Sequence, residues 1–265
     1  MLIDSHCHLD YLDVPANPGG ITGAISRARS VGVRAVIVPT VAPENFDRVV
    51  ALAESIPEVF FALGIHPIYV QEMSDSSLDD LQNALRRFKD HPKLVAVGEI
   101  GLDHYVSDRD REKMQMFYLA QCKMARDFSL PVVLHVRKAQ DQVLKGLRRY
   151  GIRSGIAHAF NGSLVQAQAY IAQGLVLGFG GAMTFTRAAQ IRRLAATLPL
   201  SAIVLETDSP DIAPAWRARG AINEPGEMRA IAQCLAELRD DSLETIIRAT
   251  GENSLRALPR LNTHV

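Results

Sequence analysis

The chain has 265 residues, 48% of them hydrophobic and 22% charged, with 29 Lys and Arg balancing 29 Asp and Glu. That is ample apolar material for a core, at a length typical of a single α/β barrel. A net charge of zero argues against a protein that tracks long duplex by overall attraction, although a local basic rim or a bound cation can still hold phosphate.

Short apolar, β-branched runs recur along the chain, each followed by a helical pattern, which predicts alternating β and α with parallel strands. The first run, Leu2 to Ser5, ends in His6-Cys7-His8. Then come Val33–Pro39, Val59–Leu63, Leu94–Val97, Pro131–Leu134, Gly155–Ala157, Leu175–Leu177 and Ala202–Leu205. Near-continuous apolar strands, buried on both faces, are what a closed (β/α)8 TIM barrel requires. Between them, Pro43 and Glu44 open one helix. Asp75 or Ser76 caps another that runs to about Lys89 with Leu78, Leu81, Leu85 and Phe88 on one face. Ser107 or Asp108 is the expected cap of a long fourth helix; Ser163 and Thr186 are those of the sixth and seventh. Two helical stretches, 224–238 and 242–258, follow the last strand. No linker or low-complexity tract divides the chain, so residues 1–265 read as one domain.

Cys7, Cys122 and Cys234 are widely separated and lack a CxxC pattern. They predict reduced thiols in a cytoplasmic protein. No signal-peptide pattern and no membrane-spanning run are seen, so no membrane association is expected.

In a barrel the C-terminal strand tips share one rim. His6 and His8 alternate along the first strand and so share a face. The fourth strand supplies Glu99, the fifth His135, the sixth His158 and the eighth Asp208. Four imidazoles and two carboxylates suffice for two divalent cations, with a central carboxylate bridging them. Each residue also has a plainer reading. His135 could bond a loop, Asp208 and Asp211 could be helix caps, and Glu99 could pair with Arg137.

Six motifs then carry a resemblance. They are Ser5-His6-Cys7-His8-Leu9-Asp10, Gly64-Ile65-His66-Pro67, Gly98-Glu99-Ile100-Gly101-Leu102-Asp103, Leu134-His135-Val136-Arg137, His158-Ala159-Phe160-Asn161-Gly162 and Glu206-Thr207-Asp208-Ser209-Pro210. In order, and over nearly the whole chain, they resemble the TatD family of metal-dependent hydrolases and deoxyribonucleases of the amidohydrolase-like superfamily. The resemblance implies that His6, His8, Glu99 and Asp208 hold one metal, and that Glu99, His135 and His158 hold the other. It also implies catalytic roles for Asp208, which orients or deprotonates the attacking water, and for the bridging Glu99. By position, His66 and Arg137 contact a substrate phosphate, and His104 is near the same rim. Ile100, Ala159, Asn161 and the Ala257-Leu258 pair depart from the usual family residues. They remove no ligand and bear on substrate preference.

The leading expectation is a phosphodiesterase that acts on DNA ends or single strands through a water activated by two metals. Zinc is expected in the isolated protein, with manganese or magnesium compatible. The alternative is amidohydrolase-type attack on a small amide or ester; a non-catalytic scaffold is disfavoured by the intact ligand set. DNA is the expected partner, and a monomer with no obligate protein partner the expected state. Tyr105 and Trp216 are candidates to stack a base at the rim, beside the commoner reading of packing.

Overall fold

The computed structural model describes residues 1–106 and 110–263. Strands β1 (Leu2–Asp4), β2 (Val33–Pro39), β3 (Val59–Leu63), β4 (Leu94–Asp103), β5 (Val132–Arg137), β6 (Gly155–Ala157), β7 (Val176–Phe179) and β8 (Ile203–Leu205) form one sheet in chain order. Every ladder is parallel. At the seam between β8 and β1, Ser5 N donates to Leu205 O (3.0 Å), Asp208 N to His6 O (2.8 Å) and His8 N to Ser209 O (2.7 Å). These bonds bring the last strand back to the first, and the protein is an α/β barrel.

Helices α1 (Gly20–Ser30), α2 (Phe46–Ser55), α3 (Ser76–Phe88), α4 (Arg111–Asp127), α5 (Gln140–Tyr150), α6 (Leu164–Ala172), α7 (Ala189–Thr197), α8 (Met228–Arg239) and α9 (Leu243–Ala257) surround the sheet. Among the described residues, no helix is long and apolar enough to cross a membrane. Ser163 caps α6 as expected, accepting from Gln166 N while Gln166 reaches back. Ser107 and Asp108 lie outside the described residues; Asp110 caps α4, accepting from Glu112 N and Lys113 N. Thr186 is not the cap of α7, because that helix begins later, at Ala189. Asp75 precedes α3 but makes no side-chain cap bond, since it already has helical backbone angles.

Two apolar layers follow from the period-two pattern of the strands. The larger lies between the strands and the helices. The smaller fills the barrel with Ile3, Ala35, Ile37, Phe60, Ala62, Val95, Val133, Ile156, Val176 and Val204, and is joined by Ala257, Leu258 and Leu261. The Ala257-Leu258 departure from the family pattern is therefore a matter of core packing. Ile100 is also fully buried.

Strands β4 and β5 run past the ends of their apolar runs, to Asp103 and Arg137. Glu99 is thus inside a strand and not after its tip. The β4–β5 register shifts between Val97 and Ile100, the irregularity expected where a strand re-aims a side chain. Gly98 makes this approach feasible, because a Cβ there would sit 2.6 Å from Val133 Cβ and 2.8 Å from Val133 O. Gly98→Ala should destabilise the fold by about 1–3 kcal/mol through overpacking; unchanged stability in denaturant titration would show that the β4–β5 spacing is not limiting.

Candidate metal centre

Glu99 is 1% exposed, and its two oxygens divide the histidines between them. Oε2 lies 3.1 Å from His6 Nε2 and 3.4 Å from His8 Nε2. Those nitrogens are 3.3 Å apart, and Asp208 Oδ1 is 3.5 Å from the first and 3.9 Å from the second. On the other side, Oε1 lies 2.9 Å from His158 Nε2, 3.1 Å from His135 Nδ1 and 3.3 Å from His66 Nε2. All six sequence-selected ligand candidates converge, with His66 as a seventh member.

The donor set fits cations. Donor atoms around a tetrahedral ion with bonds of about 2.0–2.1 Å lie about 3.3–3.4 Å apart, close to the separations within the His6, His8, Glu99 and Asp208 group. Glu99 Oε2 is buried and accepts no hydrogen bond, although two imidazole nitrogens flank it. A shared cation satisfies such an oxygen better than poorly aimed N–H groups do.

Hydrogen bonding separates the ligands from the remaining histidine. Asp103 Oδ2 lies 2.9 Å from His135 Nε2. A carboxylate can only accept, so in the neutral ring the shorter of the two carboxylate contacts, 2.9 Å to Asp103 against 3.1 Å to Glu99, places the proton on Nε2 and leaves Nδ1 a lone pair for the site. Ile68 N donates to His66 Nδ1 at 3.1 Å. The neutral His66 ring therefore carries its proton on Nε2, which faces His135 Nδ1 at 3.0 Å. His66 presents an N–H donor to the centre and no lone pair. That suits contact with a substrate oxygen and not metal ligation.

Burial alone would raise the Glu99 carboxyl, but His158, His66 and His6 hold it well below the ordinary range. Burial would lower His158, yet Glu99, with Asp208 and Glu206 behind it, pushes that imidazole up to about 10. Burial lowers His66 to about 4, consistent with a neutral ring. Burial also raises Asp208, assisted by the Glu99 and Asp211 charges.

The centre forms the floor of a cavity of about 950 Å³ whose wall includes Tyr11, Tyr69, Tyr105, Arg137, Lys138 and Asn161. Arg137 is exposed at the end of β5, with its guanidinium 3.8 Å from the centre of the Tyr105 ring and Lys138 Nζ at 4.8 Å from the same ring. Arg137 thus lies on the rim, stacked on Tyr105. Ala159 and Asn161 line the same cavity, so these two family departures face it. His104 donates its backbone N to Arg137 O and, among the described residues, is not part of the cavity wall. Trp216 is not at the mouth either; it lines a separate hollow and donates Nε1 to Glu227.

Three buried carboxylates escaped the sequence reading. Asp103 backs His135. Glu206 accepts from Ala159 N, with its Oε1 3.9 Å from His158 Nδ1. Asp4 accepts from Thr207 N (2.9 Å) and Thr207 Oγ1 (2.6 Å), tying β1 to the segment that carries Asp208. Strand alternation could have flagged Asp103, which shares a face with Glu99 two pairs earlier.

Barrel and centre together define a metal-dependent hydrolase. The sequence matches the family described as TatD related DNase over residues 3–259, and the chain belongs to the TatD family. It is 40% identical over 253 residues to the uncharacterized metal-dependent hydrolase YjjV of Escherichia coli, covering 95% of each chain. An uncharacterized metal-dependent hydrolase of Haemophilus influenzae is 33% identical over 258 residues, covering 95% of this chain and 97% of that one. The crystal structure of YjjV superimposes with a TM-score of 0.90 at 39% identity, over 97% of this chain and 98% of that one. A TatD family hydrolase from Entamoeba histolytica, at 20% identity, shares the fold with a TM-score of 0.83 over 97% of each chain.

With Glu99 pushing its imidazole up to about 10, His158 should hold a proton in the metal-free centre, and cation uptake should displace it. The sign is fixed: lower pH favours the protonated imidazole and weakens binding, by up to about tenfold per pH unit for each proton displaced. Calorimetric titration of metal-free protein with zinc, in buffers of different ionisation enthalpy, should show proton release between pH 6 and 8. Affinity independent of pH would contradict a protonated His158.

Proposed function

We propose that the protein is a phosphodiesterase acting on DNA ends or single strands, with two divalent cations held by His6, His8, Glu99 and Asp208 on one side and by Glu99, His135 and His158 on the other. Zinc suits this mixture of imidazole and carboxylate in the isolated protein, with manganese or magnesium compatible. The observation that carries the reading is Glu99, whose two oxygens each face a separate set of imidazole nitrogens. The cations supply Lewis acidity and lower the pKa of the attacking water.

The chain's own side chains have distinct tasks in this reading. Asp208 lies against the first ligand set and lines the cavity, where its carboxylate takes the proton of the attacking water. His66 donates from Nε2 to a phosphate oxygen. Arg137 and Lys138, grouped at Tyr105, give the rim the positive charge an anionic backbone needs. Tyr105, 55% exposed, offers a face for a base. That cationic and aromatic edge favours a nucleic acid over a small amide. A monomer in a reducing, cytoplasmic compartment accords with the free Cys7, Cys122 and Cys234.

Zinc- or manganese-loaded protein should release nucleotides from a labelled single-stranded oligonucleotide. Hydrolysis confined to small amide or ester substrates would overturn the assignment. Asp208→Asn keeps shape but loses the base, and turnover should fall by roughly a thousandfold or more while some metal remains bound. Glu99→Gln should lower the metal content below two per chain, since a neutral amide cannot balance two cations. Near-normal turnover of Asp208→Asn, or two retained metals in Glu99→Gln, would refute the respective role.

A further inference from the structure

Asp103 is fully buried and uses both carboxylate oxygens. Oδ2 faces His135 Nε2 at 2.9 Å, and Oδ1 accepts from Tyr105 N at 2.8 Å. From there the hydrogen bonds run in one direction. His135 Nε2–H donates to Asp103, His66 Nε2–H donates to His135 Nδ1 at 3.0 Å, and Ile68 N–H donates to His66 Nδ1 at 3.1 Å. Reverse the proton on His135 and the series fails: Nε2 would turn a lone pair toward the Asp103 carboxylate, while Nδ1 would offer no lone pair to a cation and would repel the His66 donor.

We propose that Asp103 is a positioning residue that fixes His135 in the tautomer whose Nδ1 can hold the second cation. The proposal rests on the two-cation reading of the centre. Its chemistry is that of a carboxylate behind a ligating imidazole, which sets ring orientation and raises ligand basicity. Its second oxygen reaches further. By holding the backbone of Tyr105, Asp103 also links the centre to the wall on which Arg137 lies. Glu206 is no equivalent behind His158, because its nearer oxygen is 3.9 Å from Nδ1, beyond hydrogen-bond reach, and that nitrogen has no partner.

Asp103→Asn tests this with little change of shape. The Tyr105 N–H requires an acceptor, so the amide oxygen stays there and the amide NH2 turns to His135. An NH2 can only donate, which forces the proton of His135 onto Nδ1. Long-range ¹H–¹⁵N spectra of metal-free protein, with His135 identified by its loss in His135→Gln, should show Nε2–H in the wild type and Nδ1–H in Asp103→Asn. Dialysis of the zinc-loaded chains against graded chelator should show about 10- to 100-fold weaker retention of one of two zinc ions in the variant. A wild-type neutral His135 whose single proton sits on Nδ1 overturns the proposal by itself, whether or not the variant folds. Wild-type zinc retention in a folded Asp103→Asn chain overturns it as well. Neither readout involves a substrate, so a failure here is distinct from a failure of the nuclease reading. A wild type that binds one zinc refutes the two-cation reading instead.

Discussion

A carboxylate sealed inside a protein is stable only if its charge is matched and its oxygens are partnered. Glu99 sets that demand at the mouth of this barrel, and much of the surrounding structure answers it. Imidazoles arrive from the end of β1, from β5 and from the end of β6, each with a nitrogen within 3.4 Å of one Glu99 oxygen. The register shift in β4 and the missing side chain at Gly98 bring the carboxylate to that meeting point. With imidazoles on both sides and no hydrogen bond to Oε2, Glu99 is placed to contact a cation.

The neighbouring carboxylates hold this arrangement still. Asp4 connects β1 with the Thr207 segment, so that His6 and Asp208, remote in sequence, keep one spacing across the barrel seam. Ser209 Oγ joins the same network through Thr207 Oγ1 at 2.8 Å. Asp208 itself has a φ of 57°, in the left-handed region that Asp tolerates better than most residues. Its backbone N bonds His6 O, and this bond holds the turn in place. A site made from rigid strand ends and buried hydrogen bonds is preorganised for charge stabilisation, which is what hydrolysis requires.

The departures from the family pattern fall into two kinds. Ile100 and the Ala257-Leu258 pair are buried packing choices at a distance from the cavity wall. Ala159 and Asn161 lie on that wall, and Asn161 is held by Gln140 and Gln190. Any change in substrate preference within this branch is therefore expected at the second pair, beside the ends of β6 and α7, and not in the ligands.

Much of the architecture was legible in the residues themselves. Near-continuous apolar runs set the order of the eight strands, and His6 and His8, two residues apart just beyond the end of β1 at Asp4, announced a ligand pair. Glu99, His135, His158 and Asp208 each closed or followed an apolar run, so their convergence could be anticipated from barrel geometry alone. The position of Glu99 inside β4 could not, because a register shift depends on how closely β4 packs against β5. The motif match set His66 apart from the ligands, but the residues themselves could not supply the physical reason. Which ring nitrogen holds a proton is decided by partners such as Asp103, 32 residues from His135, and His135, 69 residues from His66. Local sequence determined which chemical groups reach the rim; only the tertiary structure decided which way each hydrogen bond points, because a tautomer is a property of the contact and not of the residue.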